Sequence, residues 1–219
     1  MIYDITPFSV IDYPGELAAI LWFAGCNMRC LYCYNPHIVL SEGKLKFDDV
    51  SEFLHSRNGL LSAVVLSGGE CTKSKDFDKV LQLAKELGYK TKVDTNGSNL
   101  DAIKANVDFI DFVALDFKAV KDKFSQITGS NLYENWLETL RFLVASGVKF
   151  EVRTTVYSDL LSPNDINDMA NLLEQNGYTG TYCLQNYFEA PNLGNLLKPK
   201  AKFDPNLIKS NLKIELRNF

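Results

Sequence analysis

Histidine is nearly missing from this chain: only His37 and His55 occur among 219 residues, which rules out a metal centre built from several imidazoles. A surplus of positive charge is missing too. Twenty-three Lys and Arg face 27 Asp and Glu, for a net charge of -4, so no broad basic surface is available to neutralise phosphates and no nucleic acid partner is expected. Nor is there a long apolar run. Leu17 to Ala24 is the most apolar stretch and is much too short to cross a bilayer. Met1 to Ser9, with Asp4 and Pro7, lacks the basic-then-apolar order of a signal peptide. Repeats, low-complexity tracts and Pro/Gly/Ser-rich linkers are absent as well. These absences lead to the expectation of a soluble cytoplasmic protein, with no membrane partner and one domain over residues 1–219.

What is present begins with 46% apolar residues, enough to fill one sizeable core. Candidate strands at Leu17–Ala24, Ala63–Leu66, Thr91–Asp94, Phe109–Asp116, Phe150–Val156 and Thr181–Gln185 are mostly continuous apolar runs, as strands covered on both faces tend to be. Helical spacing lies between them. Phe77, Val80, Leu81, Ala84 and Leu87 recur at i, i+3, i+4, i+7 and stop at Gly88, a candidate left-handed C-cap. Ser162-Pro163-Asn164-Asp165 opens another helix with an N-cap serine, a proline and an acidic residue in the first turn; its stripe of Ile166, Met169, Ala170 and Leu173 ends at Gly177. Phe47, Val50 and Leu54 mark a third helix, and Leu137, Leu140 and Val144 a fourth. Six β-then-α units imply an α/β fold with a parallel sheet, which right-handed crossovers roll toward a barrel. Six are too few to close an eight-fold barrel, so an open or partial parallel βα barrel is expected, with Lys213 to Arg217 as a short edge strand.

Five cysteines are an odd number, and three crowd into the segment Cys26-Asn27-Met28-Arg29-Cys30-Leu31-Tyr32-Cys33, spaced C-x3-C-x2-C directly after the first candidate strand. A disulfide framework fits this poorly in a chain of such length. Three thiolates on a short loop can each bind one iron of a cubane cluster and leave the fourth iron open to another ligand. A structural zinc site with His37 as fourth ligand is the other chemistry these residues permit. Cys71 and Cys183 stand apart from the group and receive no role.

Polar residues follow the candidate strands, and in a parallel βα barrel the C-terminal strand ends share one mouth. Ser67-Gly68-Gly69-Glu70 ends the second strand; paired glycines let backbone approach a ligand closely, and a carboxylate favours an ammonium. Asp94-Thr95-Asn96-Gly97 ends the third, and Asp116-Phe117-Lys118 the fourth. Arg153, before Thr154 and Thr155, is costly to bury unpaired and should meet a carboxylate, that of a ligand or of a neighbouring Asp or Glu.

The cysteine spacing, with Gly68-Gly69-Glu70 one βα unit later, resembles the radical S-adenosylmethionine (SAM) superfamily, and later motifs arrive in that family's order over nearly the whole chain. The resemblance implies one 4Fe-4S cluster on Cys26, Cys30 and Cys33, with SAM bound to the open iron and cleaved reductively to a 5′-deoxyadenosyl radical. It also implies the cofactor contacts. Tyr32 would stand beside the adenine, and Gly68, Gly69 and Glu70 at the SAM amino group. Asp94, Thr95, Asn96, Asp116 and Lys118 would organise its carboxylate end, in some members through a monovalent cation, and Arg153 and Thr155 would complete that end. Cys71 replaces the proline that commonly follows the glutamate.

The segment Phe8 to Gly15, with Asp12, Pro14 and Gly15, together with Asn35-Pro36, resembles the activating proteins of anaerobic ribonucleotide reductase and pyruvate formate-lyase. Tyr34 stands where those relatives often have histidine. This narrower resemblance implies a glycyl-radical enzyme as protein partner, above all an anaerobic ribonucleotide reductase, and an electron donor such as flavodoxin or ferredoxin. A compact small-molecule radical SAM enzyme, of the 7-carboxy-7-deazaguanine synthase kind, is the alternative reading.

Overall fold

In a computed structural model that describes residues 1–219, eight strands form one sheet whose order follows the chain. The six expected strands are β2 (Ala18–Phe23), β3 (Ala63–Gly68), β4 (Lys90–Thr95), β5 (Phe112–Asp116), β6 (Lys149–Val156) and β7 (Thr181–Asn186), all parallel to one another. The expected edge strand, β8 (Lys213–Arg217), adds parallel to β7. At the other edge β1 (Ile2–Ser9), which was not expected, runs antiparallel to β2. The outer edges of β1 and β8 stay unpaired with one another, so the sheet is open.

The helices α1 (Pro36–Val39), α2 (Phe47–Arg57), α3 (Phe77–Glu86), α4 (Leu100–Ala105), α5 (Lys121–Thr128), α6 (Tyr133–Ser146) and α7 (Pro163–Gln175) lie between strands. Local chemistry sets their ends. Gly88, at φ +82°, turns the chain after α3 so that its N–H and that of Tyr89 reach the carbonyls of Lys85 and Ala84, both at 2.9 Å. At the start of α7 the Ser162 hydroxyl accepts from the Asp165 N–H, while the Asp165 carboxylate accepts from the Ser162 N–H at 2.8 Å.

Alternation along the strands divides the sheet into two unlike faces. Leu21, Leu66, Val93, Val113, Leu115, Val152 and Leu184 point toward the helices and join one apolar cluster with Val80, Leu81, Leu140 and Met169. On the inner face Ala18, Ile20, Ala63 and Val65 of β2 and β3 form a small second cluster. From β4 onward the inner positions carry charge and polarity at Lys92 and Asp94, Asp116, Glu151 and Arg153, Gln185, Glu215 and Arg217, while Phe112, Ala114 and Cys183 stay apolar among them. The expectation of strands apolar on both faces therefore holds for β2, β3 and most of β5. No helix is long and apolar enough to cross a membrane.

Candidate active site

The cysteine loop leaves the end of β2 and is held from three sides by backbone hydrogen bonds. Arg29 and Leu31 donate to Thr128 and Ile127 of α5 at 2.7 and 3.0 Å. Leu193 and Gly194, on the long connection after β7, donate to Cys33 and Leu31 at 3.0 and 2.8 Å. The third contact comes from β3, where Gly69 and Glu70 donate to the carbonyls of Phe23 and Gly25 at 2.8 and 2.9 Å. This last approach explains the paired glycines. A Cβ on Gly69 would fall 1.8 Å from the Gly25 oxygen, and one on Gly68 would fall 2.6 Å from the backbone of Phe23. Their freedom lets β3 pack against the root of the cysteine loop, and both glycines also line the cavity beside it.

Cys26, Cys30 and Cys33 all line one cavity of about 250 Å³ at the C-terminal ends of the strands. Tyr32, Gly68, Gly69, Asp94, Thr95, Asn96, Asp116, Lys118, Arg153 and Thr155 line it as well, so residues from the ends of five strands, β2 to β6, converge there. Glu70 is the exception. Its carboxylate is 1% exposed and accepts from the Thr72 N–H, the Thr72 and Thr95 hydroxyls at 2.5 and 2.8 Å, and the Asn96 N–H at 2.6 Å. Burial pushes this carboxyl upward in pKa, and the donors from Thr72, Asn96 and Thr95 offset part of that. In this arrangement Glu70 ties the β3 loop to the β4 loop and does not face the cavity.

Charge on the cavity floor is organised around Arg153. Its Nε and Nη2 each lie 3.0 Å from Asp116 Oδ1, and its Nη1 lies 3.5 Å from Asp94 Oδ2. Lys118 Nζ is 3.0 Å from the other Asp116 oxygen, and Lys92 Nζ is 2.6 Å from the other Asp94 oxygen. Burial alone would raise both carboxyls, but the Arg153 guanidinium, with Lys92 and Lys118, holds them below the usual aspartate range. Three cations against two carboxylates leave one positive charge, which suits a ligand carboxylate. Arg153 therefore meets neighbouring aspartates and retains a surplus for a ligand. Lys92 and Ser67, whose hydroxyl donates to Asp94 at 3.0 Å, were missed in the sequence; the spacing of Lys92 and Asp94 two apart on a strand was the available signal.

The residues fit an iron-sulfur cluster better than a closed zinc site. His37 is exposed and packs beside the Tyr3 ring, 5.4 Å between centroids, away from the cavity. No three Cys, His, Asp or Glu side chains are gathered tightly enough to hold a single metal ion. Three half-buried thiols remain around one cavity, with Asn96 Nδ2 3.7 Å from the Cys26 sulfur. The Tyr32 hydroxyl, on the same cavity-lining residue, is buried without a hydrogen-bond partner. Cys71 and Cys183 take no part: Cys71 is buried with its sulfur 3.4 Å from the Asp94 carbonyl, and Cys183 lies 3.3 Å from a Glu151 oxygen.

Residues 20–175 match the model of the radical SAM superfamily, and the chain belongs to that family, whose members use a 4Fe-4S cluster and SAM. Among its relatives is a proposed glycyl-radical enzyme activating enzyme of Methanocaldococcus jannaschii, 31% identical over 183 residues, covering 80% of this chain and 75% of the relative. The pyruvate formate-lyase-activating enzyme of Clostridium pasteurianum is 29% identical over 186 residues, covering 79% and 76%. Streptococcus suis SuiB bound to S-adenosylmethionine shares the fold at a TM-score of 0.69 and 19% identity; the match covers 91% of this chain and 52% of SuiB, so this chain corresponds to about half of that structure.

Proposed function

We propose that this radical SAM enzyme is an activase that removes a hydrogen atom from a backbone glycine of a partner glycyl-radical enzyme, an anaerobic ribonucleotide reductase. The observation that carries this reading is the open sheet: β1 and β8 do not meet, so a loop of another protein has a lateral way to the cavity that holds the three cysteines. A free small molecule gains from a closed site that excludes water, and this fold leaves its side open. Relatives named for the same task support the reading.

Cys26, Cys30 and Cys33 would hold the cluster as thiolates. When bound and reduced by an electron donor, the cluster would supply the one electron that converts SAM to methionine and a 5′-deoxyadenosyl radical. The chain's own residues bind and orient. Arg153, steadied between Asp94 and Asp116, would attract the SAM carboxylate, with Lys118 and Thr155 beside it. Tyr32 and the loop at Thr95 and Asn96 would flank the remainder, and Glu70 would keep that loop in register.

Mixing the reduced holoprotein with SAM and an anaerobic ribonucleotide reductase, then recording the electron paramagnetic resonance spectrum, tests the proposal. A glycyl doublet that disappears in a Cys30→Ala variant is the expected result. Absence of that doublet, with turnover driven instead by a small purine precursor, would overturn it.

A further inference from the structure

Of the three cations on the cavity floor, Lys92 is the only one that does not line the cysteine cavity. It is also the most buried, with 3% of its side chain exposed against 13% for Lys118 and 14% for Arg153, too little for direct contact with a ligand in that cavity. An ammonium buried so completely is costly unless it is paired. Its partner is Asp94, two residues along β4 and so on the same face of the sheet, with Nζ 2.6 Å from Oδ1. The other acidic groups of the inner face are engaged elsewhere: Glu151 and Glu215 with Arg217 at 2.9 and 2.7 Å, Asp116 with Arg153 and Lys118, and Asp12 with the Ser9 hydroxyl.

This pairing decides how Arg153 is shared between the two aspartates. Its Nε and Nη2 each stand 3.0 Å from one oxygen of Asp116, whereas its Nη1 stands 3.5 Å from Asp94, beyond a normal hydrogen bond. Asp94 does not need a closer approach. Lys92 holds one of its oxygens, and the Ser67 hydroxyl donates to the other at 3.0 Å. Nη1 is therefore the part of the guanidinium left without a short partner, on a residue that lines the cysteine cavity. Without the ammonium, Asp94 would be a buried carboxylate whose remaining cation is Arg153, and it would draw Nη1 onto itself.

We propose that Lys92 is a positioning residue for SAM: by occupying Asp94 it leaves the Nη1 of Arg153 for the SAM carboxylate. The inference rests on the reading that places that carboxylate at Arg153, and it adds a residue that acts on the ligand only through its neighbours.

Calorimetric titration of SAM into the reconstituted holoprotein tests this, with cluster absorbance recorded for every variant. Lys92→Met should raise the SAM dissociation constant about ten-fold at unchanged cluster content. Adding Asp94→Asn removes the carboxylate that captures Arg153, so the double variant should bind SAM several-fold more tightly than Lys92→Met alone. A lysine that only supports the fold would give a double variant no better than the single one, and that result would overturn the inference. Should Lys92→Met fail to fold, the double variant still decides, since replacing both partners strands no charge. Affinity well above that of Arg153→Ala is then expected, and affinity as low as that of Arg153→Ala would overturn the inference. Arg153→Ala also separates the two readings. If it weakens SAM binding and Lys92→Met does not, Lys92 has no positioning role while the placement of the SAM carboxylate stands. If Arg153→Ala leaves binding unchanged, that placement fails and the role of Lys92 with it.

Discussion

Within β4, Val93 and Lys92 are neighbours in sequence and are both buried, yet their surroundings differ completely. Val93 packs into the apolar cluster under the helices, whereas Lys92 is held by its ion pair with Asp94. The contrast repeats on β6, with Val152 in the core and Glu151 and Arg153 on the inner face. One face of the sheet is built to exclude water and hold shape, and the other to hold charge around a ligand. The lesson is that stability and chemistry are assigned to alternate residues of the same strands, so a substitution's effect depends on its parity more than on its burial.

The sharpest test of this division is a large apolar residue on the helix side. Trp136 is fully buried and stacks on Phe117 at 3.9 Å between ring centroids, beneath the loop at Gly97. Trp136→Ala should lower stability by about 3–5 kcal/mol in urea unfolding; a loss under about 1 kcal/mol would show that the helix-facing side does not carry the stability. Gly69→Ala, at the junction of the two faces, must displace the Gly25 carbonyl. A loss of about 1–3 kcal/mol is expected, together with weaker retention of iron in a gel-filtration assay.

On the inner face the balance shifts from stability to binding. In Arg153→Ala, Asp94 keeps Lys92 and Asp116 keeps Lys118, so neither carboxylate is stranded and the fold should survive. The SAM dissociation constant should rise about ten-fold or more by calorimetry, and unchanged binding would make Arg153 a purely structural cation. The smallest expected effect is in acid. Asp94 and Asp116 have folded-state pKa values below their unfolded value near 3.9, so their contribution is fully present above that value and is lost as pH falls through the folded pKa. Asp116→Asn should therefore flatten stability against pH below about pH 4, and leave the slope between pH 5 and 8 as it was; a changed slope at neutral pH would show that another group is responsible.

The sequence made the helix-facing side legible because apolar period and caps report directly on burial, as at Gly88 and Ser162. It was less informative where those signals are weak. β1 mixes Asp4, Thr6 and Pro7 into a half-buried edge and carries little apolar pattern. The short helices α4 and α5 have no side-chain cap bond, and much of what orders them is contact with the loops they support. β5 starts at Phe112, later than expected, because Val107–Phe109 turns as a short 3-10 segment. Among site residues, the cysteines and the strand-end polar groups were legible from spacing and order. The backbone contacts of Glu70 and the glycine pair were not, since each is decided by which backbone lies opposite, a long-range fact that no local motif encodes.

Every role assigned above depends on Cys26, Cys30 and Cys33 holding a single cubane in the cavity at the strand ends. Iron and acid-labile sulfide analysis of anaerobically reconstituted protein, alongside its Cys26→Ser, Cys30→Ser and Cys33→Ser variants, tests it most directly. About four irons and four sulfides per chain, lost in each variant, is the predicted result. One equivalent of zinc, with no cluster absorption after reconstitution, would contradict it.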